Sequence, residues 1–443
     1  MSAPGDVGAA MGDGSGIARD PVSGLPNRLR FIEDKHTAPF RPATMVLVTL
    51  ADARAFNEIL RALGHARSEA FIRAGAARLR DVIGAAAEIY HVSVLNFVCV
   101  LPIEPGDAEP HVVDRIVRAF GQPLICDDIP IDTRIGVGLA ALGDAPGACA
   151  EDLRAALAAA QDSRRRPEGW AWYDQRSDDA HKRGFRLLTD LKTALTRTDQ
   201  LHLVFQPKVS LSTGACISAE ALIRWRHRDF GLISPAEFIP LAEATALVTP
   251  LTRWVIAKAV AQIVEWDRAG LEMRLAVNIS PKNLEAPDIV EYLLFVCATA
   301  GVDRGRLELE VTEGVNAAQG QLILDRLAAL RRLGFGIDDF GAGYSNMGYL
   351  TRLSAQTLKI DQSLVRGVVQ NSLAGQLLAG VVQMGRDLGY KVVAEGIETE
   401  AERALLTSLG CDFGRGYLFA RPMTGDALFD WTAAAAAPRL LQA

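Results

Sequence analysis

The chain has 443 residues, 49% of them hydrophobic and 23% charged, with a formal net charge of −6. That length suits two or three domains, and the composition reads as soluble and globular; the acidic balance argues against a general nucleic-acid binder, so no DNA binding is expected. The longest apolar candidate, residues 92–101, is interrupted by Ser93 and Asn96 and falls well short of the roughly 20 residues a membrane span needs. The opening residues lack a basic region followed by an apolar segment, so no secretion signal is expected and the cytoplasm is the expected compartment. Cys99, Cys126, Cys149, Cys216, Cys297 and Cys411 are scattered without a CxxC pair, which suits reduced thiols rather than a disulfide framework or a zinc site.

Residues 1–18 are rich in Gly, Ala and Ser without periodicity and read as a disordered tail. Over 19–175, helix patterns (Phe56 to Leu63, Arg67 to Ile83) mix with strand patterns (Thr44 to Leu50, Ile89 to Leu101, Thr133 to Leu139), predicting a smaller α/β domain. Leu187, Leu188, Leu191 and Leu195 fall at helical spacing and predict a linker helix over 176–198. From 199 to 436 strand and helix patterns alternate. Strand runs lie at Leu201 to Phe205, Ile217 to Ile223, Leu275 to Ile279, Leu307 to Val311, Phe335 to Ile337, Thr357 to Ile360, Lys391 to Ala394 and Gly416 to Phe419. Helix patterns lie at Leu251 to Ala269, Gln321 to Leu333, Leu373 to Leu388 and Glu400 to Leu409. The alternation predicts an α/β fold: a C-terminal TIM-like (β/α)8 barrel of parallel strands and crossover helices, preceded by the smaller α/β domain.

Short motifs place chemistry along these runs: FQP at Phe205 to Pro207, EALIRW at Glu220 to Trp225, NIS at Asn278 to Ser280, EVTE at Glu310 to Glu313, DDFGAG at Asp338 to Gly343, KID from Lys359 and AEG around Glu395. Most of their polar residues fall where a strand would end, and barrels gather catalytic groups at the C-terminal ends of strands. Carboxylate and amide oxygens suit Mg²⁺ or Mn²⁺ rather than zinc or copper. Histidine is scarce, with only His202 and His227 in the barrel half and neither at a predicted strand end. The adjacent pair Asp338 and Asp339 can bridge two cations, and two cations about 3.5–4 Å apart can activate water and stabilise both the attacking and leaving oxygens of a phosphodiester displacement. Lys359 would add a positive charge beside that water. Without cations, carboxylates clustered in this way would repel one another and favour protonated forms.

With these motifs on the page, the barrel half resembles the EAL-type phosphodiesterases, which hydrolyse cyclic di-GMP to linear 5′-pGpG. EALIRW, NIS, EVTE, DDFGAGYS, LKID, AEGIET and GYLFARPM stand in the family's order over residues 185–433. The resemblance implies Glu220, Asn278, Glu310 and Asp338 as ligands of one metal, Asp338 bridging to a second held by Asp339, and hence two Mg²⁺ or Mn²⁺ ions per active site. It implies Glu395 as support for the reacting water and Lys359 as the group that orients it. Gln206 and Arg224 resemble residues that contact the dinucleotide, and Glu313, Gly341 and Gly343 resemble a flexible loop and anchor that couple metal binding to a homodimer interface. Arg415 departs from the family, since GRGYLF replaces QGYLF near the substrate site. A guanidinium cannot accept a hydrogen bond and adds a charge, so it either lowers turnover or strengthens phosphate binding. Ala342 replaces a threonine.

The first half resembles a GGDEF diguanylate cyclase domain at DPVSGLPNRLRF, Asp20 to Phe31, and at Leu63 to His65. Where the GGDEF signature falls, the chain reads Ser93-Val94-Leu95-Asn96-Phe97, without glycine or acid. Asp52 resembles one cyclase metal ligand, whereas Arg54 and Leu60 replace an Asp and a guanine-binding Asn, and no RxxD inhibitory site precedes the signature. The expectation is therefore a cyclic di-GMP phosphodiesterase carrying a degenerate GGDEF-like domain without cyclase activity, in a regulatory or dimerising role. The alternative is a weak or inactive cyclic di-GMP sensor that signals through a protein partner.

Overall fold

The computed structural model of the chain describes residues 18–37, 44–104, 110–142, 148–285, 288–312, 335–341 and 355–436. Nearly all of the expected tail, Glu313, Ala342, Gly343 and the helix expected over Gln321 to Leu333 lie outside the described residues. Two compact units meet at Lys182 and Arg183. Among the described residues no helix is long and apolar enough to cross a membrane. All six cysteines are free thiols, five of them buried.

The first unit is built on a five-stranded sheet. Its strands are β1 (Thr44–Thr49), β2 (Ile89–Ser93), β3 (Asn96–Leu101), β6 (Gly136–Ala141) and β7 (Trp170–Trp172), in the order β2-β3-β1-β6-β7. A separate hairpin is formed by β4 (Leu124–Cys126) and β5 (Ile129–Ile131). Both sheet faces are covered, as the nearly unbroken apolar run of β1 requires: Val46 and Val48 join the cluster containing Phe71 and Leu79, while Met45 and Leu47 join Leu153 and Ala156. Two helix patterns expected on either side of residues 64–66 form one element, Ala53–Ile83, kinked where Gly64 takes φ +79°. The strand expected over Ile89 to Leu101 is instead the antiparallel pair β2–β3, turning at Val94 and Leu95. A largely apolar run gives little sign of such a reversal when the two turn residues, Val94 and Leu95, are themselves apolar. Helix Gln175–Ala194 follows, close to the linker expected over 176–198.

The second unit closes eight strands into a barrel: β8 (Leu201–Ser210), β9 (Cys216–His227), β11 (Arg274–Ile279), β12 (Leu307–Thr312), β13 (Phe335–Phe340), β14 (Thr357–Ile360), β15 (Lys391–Ala394) and β16 (Phe413–Gly414), with β16 returning to β8 and β8 pairing β9. A short β10 (Gly231–Ile233) extends β9 at the edge. Neighbours from β9 through β11 to β16 run parallel, but β8 is antiparallel to both β9 and β16. This corrects the expectation of uniform parallel alternation: only the turn between Leu211 and Ala215 separates β8 from β9, too little chain for a parallel crossover. The last strand is also earlier than expected. Gly416 to Phe419 is a turn, because the amides of Phe419 and Ala420 both donate to the Gly416 carbonyl.

Period-two alternation assigns each strand two roles. Leu275, Val277 and Ile279, Leu307, Leu309 and Val311, and then Leu358 and Ile360 enter the apolar layer beneath the helices. Helices Val248–Arg268, Ser372–Asp387 and Glu400–Leu409 lie close to their expected ranges, each offering an apolar stripe to that layer. The intervening residues point into the barrel. They are Gln206 and Lys208, Glu220, Asn278, Glu308 and Glu310, Asp338, Thr357 and Lys359, with Glu395 one residue past β15.

Candidate active site

The inward residues form two layers. Strand register sets Gln206 opposite Glu220, Asn278 opposite Glu310, and Lys359 on the strand beside Val393, two residues before Glu395. Below them, Lys208 Nζ donates to Glu308 Oε2 at 3.0 Å and Thr357 donates to Glu308 Oε1 at 2.7 Å. This ionic floor escaped the motif reading, although the alternations Gln206/Lys208 and Glu308/Glu310 signal it. Lys208 is the nearest cation to hold the Glu308 carboxyl: burial raises its pKa, and Lys208 and Thr357 bring it below the ordinary range.

In the upper layer Glu220, Glu310, Asp338 and Glu395 are all buried, and Lys359 is only 1% exposed. The Lys359 ammonium contacts all four carboxylates, Glu310 and Glu395 at 2.8 Å, Asp338 at 2.9 Å and Glu220 at 3.2 Å. Burial opposes its charge, but Glu310, Glu395 and Asp338 outweigh that penalty and hold its pKa well above the ordinary lysine value. Burial likewise pushes Glu395 up to about 8 and Glu310 up to about 7, against the pull of Lys359 and with a further push from Asp338. Asn278 donates its amide N–H to Glu220 Oε1 at 2.8 Å.

Consecutive strand residues normally face opposite ways, so one strand end should not deliver both Asp338 and Asp339. The pairing of β13 with β14 shifts register between Ile337 and Phe340, and Asp339 lies at φ +55° with its N–H on Asp338 Oδ1 at 2.8 Å. This bulge turns the second carboxylate toward the first. Glu220, Glu310 and Asp338 each offer a carboxylate oxygen within 4.8 Å of the others, and so do Asp338, Asp339 and Glu395. Two such overlapping trios share Asp338.

Arg415 lies inside this constellation. Its guanidinium contacts Glu220 Oε2 and donates to Glu395 Oε2 at 2.8 Å, and burial pulls its pKa down to about 10. Its backbone is clamped to the end of β15, with its N–H on Ala394 O and its carbonyl accepting from Ile397. The next residue must be glycine, since a Cβ at Gly416 would stand 2.0 Å from Ile397 O.

The expected substrate contacts lie on either side of Arg415. Arg224 lines a cavity of about 340 Å³ with Glu220, Asn278, Asp338, Asp339, Glu395 and Arg415, and its Nη1 donates to the Ile223 carbonyl. Gln206 lines a neighbouring cavity of about 230 Å³ with Glu395, Arg415 and Tyr417, and donates to Ala420 O at 3.1 Å. Gly341, at φ +99°, follows β13 directly. His227 does end β9, contrary to its expected place, but its ring binds Asp190 and accepts backbone N–H groups of Asp229 and Phe230, away from the carboxylates. Asp52, in the first unit, caps helix Ala53–Ile83 through the Ala55 N–H.

A closed α/β barrel whose C-terminal strand ends converge on buried oxygen donors defines the class of protein. The sequence pattern of the EAL domain matches residues 188–422, and that of the diguanylate cyclase GGDEF domain matches residues 17–167. The chain belongs to the EAL-domain family, with a GGDEF domain ahead of the barrel. It is similar to the cyclic di-GMP phosphodiesterase PA2567 of Pseudomonas aeruginosa, 39% identical over 93% of this chain and 71% of that protein. It is also similar to the bifunctional diguanylate cyclase/cyclic di-GMP phosphodiesterase MucR of the same organism, 33% identical over 92% of this chain but only 61% of that protein. Among solved structures, the PaMucR phosphodiesterase in complex with c-di-GMP is 40% identical and covers 55% of this chain and 99% of its own, with a TM-score of 0.51.

Proposed function

We propose that the chain hydrolyses cyclic di-GMP to linear 5′-pGpG in the mouth of the barrel, residues 199–436. The observation that carries this reading is the convergence of Glu220, Asp338, Asp339 and Glu395, from three strands, on one cavity, with Glu310 buried behind them within reach of Glu220 and Asp338. The donor set fits Mg²⁺ or Mn²⁺: it consists of carboxylates and one amide without histidine or thiol, and five acids share a space where Lys359 and Arg415 leave negative charge in excess. Glu220, Asn278, Glu310 and Asp338 would hold one cation, and Asp338, Asp339 and Glu395 a second. Bound there, divalent cations supply Lewis acidity toward the phosphodiester and make water a stronger nucleophile.

The chain's own groups do the positioning. Lys359 keeps the four buried acids converged and presents its charge to the nucleophile's side of the mouth. Glu395, held by Lys359 and Arg415, accepts a hydrogen bond from the attacking water and aligns it. Arg224, at the cavity wall, suits a phosphate oxygen, and Gln206 suits the dinucleotide beyond Arg415. Glu313, Gly341 and Gly343 couple the site to a homodimer interface. The named activities of PA2567 and MucR, and the c-di-GMP bound to the PaMucR phosphodiesterase, support the substrate.

For residues 19–175 we propose a regulatory or dimerising role without cyclase activity, joined through the helix expected over 176–198. The β2–β3 hairpin keeps its backbone while Val94 and Leu95 occupy its turn, so it offers neither glycine amides for a phosphate nor acids for a metal.

The test is to incubate the full chain with cyclic di-GMP and Mn²⁺ or Mg²⁺ and follow pGpG by chromatography; product formation is expected, and GTP should give no cyclic di-GMP. Contact of Arg415 with two of the acids favours a second reading, a barrel that binds cyclic di-GMP as a sensor for a protein partner. Saturable binding without product would replace the first reading by the second.

A further inference from the structure

Both oxygens of Glu220 are engaged. Oε1 accepts from Asn278, and Oε2 faces both Lys359 and Arg415. A cation that takes Glu220 must displace one of these donors. Lys359 is held by three other carboxylates on a fully buried stem, so its departure would strand Glu310, Asp338 and Glu395 as well. Arg415 differs in two ways. Among the described residues it pairs only with Glu220 and Glu395, and it lines both the 340 Å³ and the 230 Å³ cavities, so its long side chain has space to move while the clamped backbone stays fixed.

We infer that Arg415 is a displaceable internal cation that competes with a divalent metal ion for Glu220 and Glu395, and so sets the metal affinity of the site. This rests on the metal-dependent reading of the barrel. Guanidinium and metal exclude each other at those two acids by charge and by the oxygens they share. The fixed turn at Gly416 returns the guanidinium to the same acids when the metal leaves. Linkage makes the effect reciprocal: any ligand phosphate that draws Arg415 into either cavity also tightens metal binding.

The test is Mn²⁺ binding to the full-length protein by isothermal titration calorimetry, with thermal melting in chelator and in Mn²⁺ as a second readout. Arg415→Gln should bind Mn²⁺ at least tenfold more tightly than the wild type, with Arg415→Lys in between. In chelator Arg415→Gln should melt below the wild type, because Glu220 and Glu395 lose one of their two cations and keep only Lys359, with Arg415→Lys closer to the wild type, and Mn²⁺ should close or reverse that gap. If Arg415→Gln bound Mn²⁺ within twofold of the wild type, and Glu220→Ala abolished binding, the competition would be refuted while the metal site stood. If neither wild type nor Arg415→Gln bound Mn²⁺, both the inference and the metal-dependent reading would fall. Should Arg415→Gln fail to fold, Arg415→Lys carries the same comparison, with unchanged affinity as the refuting result.

Discussion

At Lys359 a single ammonium faces Glu220, Glu310, Asp338 and Glu395 in a setting almost closed to solvent. Replacing it with Met leaves those acids without their shared partner, a situation that costs about 3–5 kcal/mol in comparable buried pairs. Lys359→Met should therefore unfold at lower denaturant concentration in chelator, regain part of the loss in Mn²⁺, and release no pGpG. A variant as stable as the wild type in chelator would contradict the charge balance described here. Glu220→Ala removes an acid that three donors share, and pGpG formation should fall to background; unaltered hydrolysis would remove Glu220 from the site. Most of the acids were legible one by one because they follow a short apolar run. The motifs put Lys359 and Arg415 near the acids but did not disclose that both pair with them directly, since that depends on which strand ends face one another across the barrel.

Among the elements, β13 is the one that breaks its own alternation to serve the site. The left-handed residue in the bulge is Asp339, and Asp and Asn tolerate that region better than other non-glycine residues. Asp339→Asn should thus stay within about 0.5 kcal/mol of the wild type in denaturant melts, yet bind fewer Mn²⁺ ions per chain in calorimetry; undiminished stoichiometry would remove Asp339 from the ligand set. The sequence pattern read "two adjacent acids" correctly but not the device that aims them, because a bulge depends on pairing with β14 rather than on local propensity. The hairpin β8–β9 was misread for a related reason: apolar spacing reports strands, and only the length of the connection reports their direction. A second element, helix Gln175–Ala194, carries a pH dependence of its own. Arg154 beside Asp178, with Lys182 and Tyr173, holds that carboxyl well below the usual aspartate range. A folded-state value below the unfolded one means that the stabilisation is complete above about pH 4, the unfolded pKa, and is lost as pH falls through the folded value. Asp178→Asn should lower the melting temperature at pH 7, with the gap to wild type narrowing below about pH 4; a constant gap down to pH 2 would argue against it.

At the level of the whole molecule, one unit has kept a polar interior and the other a polar-free hairpin turn. Deletion of residues 1–175 should change either the pGpG rate or the oligomeric state in light scattering, and a deletion that altered neither would leave the GGDEF domain without the proposed role. The antiparallel course of β8 bears on this in a different way. In a barrel whose first strand ran with the others, the polypeptide would enter at the rim opposite the acids. Here Leu201 pairs with Trp225 near the C-terminal end of β9, so the chain threads into the barrel at the rim that carries Arg224 and the acidic cavity. The strand that opens the barrel and the acids that line its cavity therefore share one rim of the second unit.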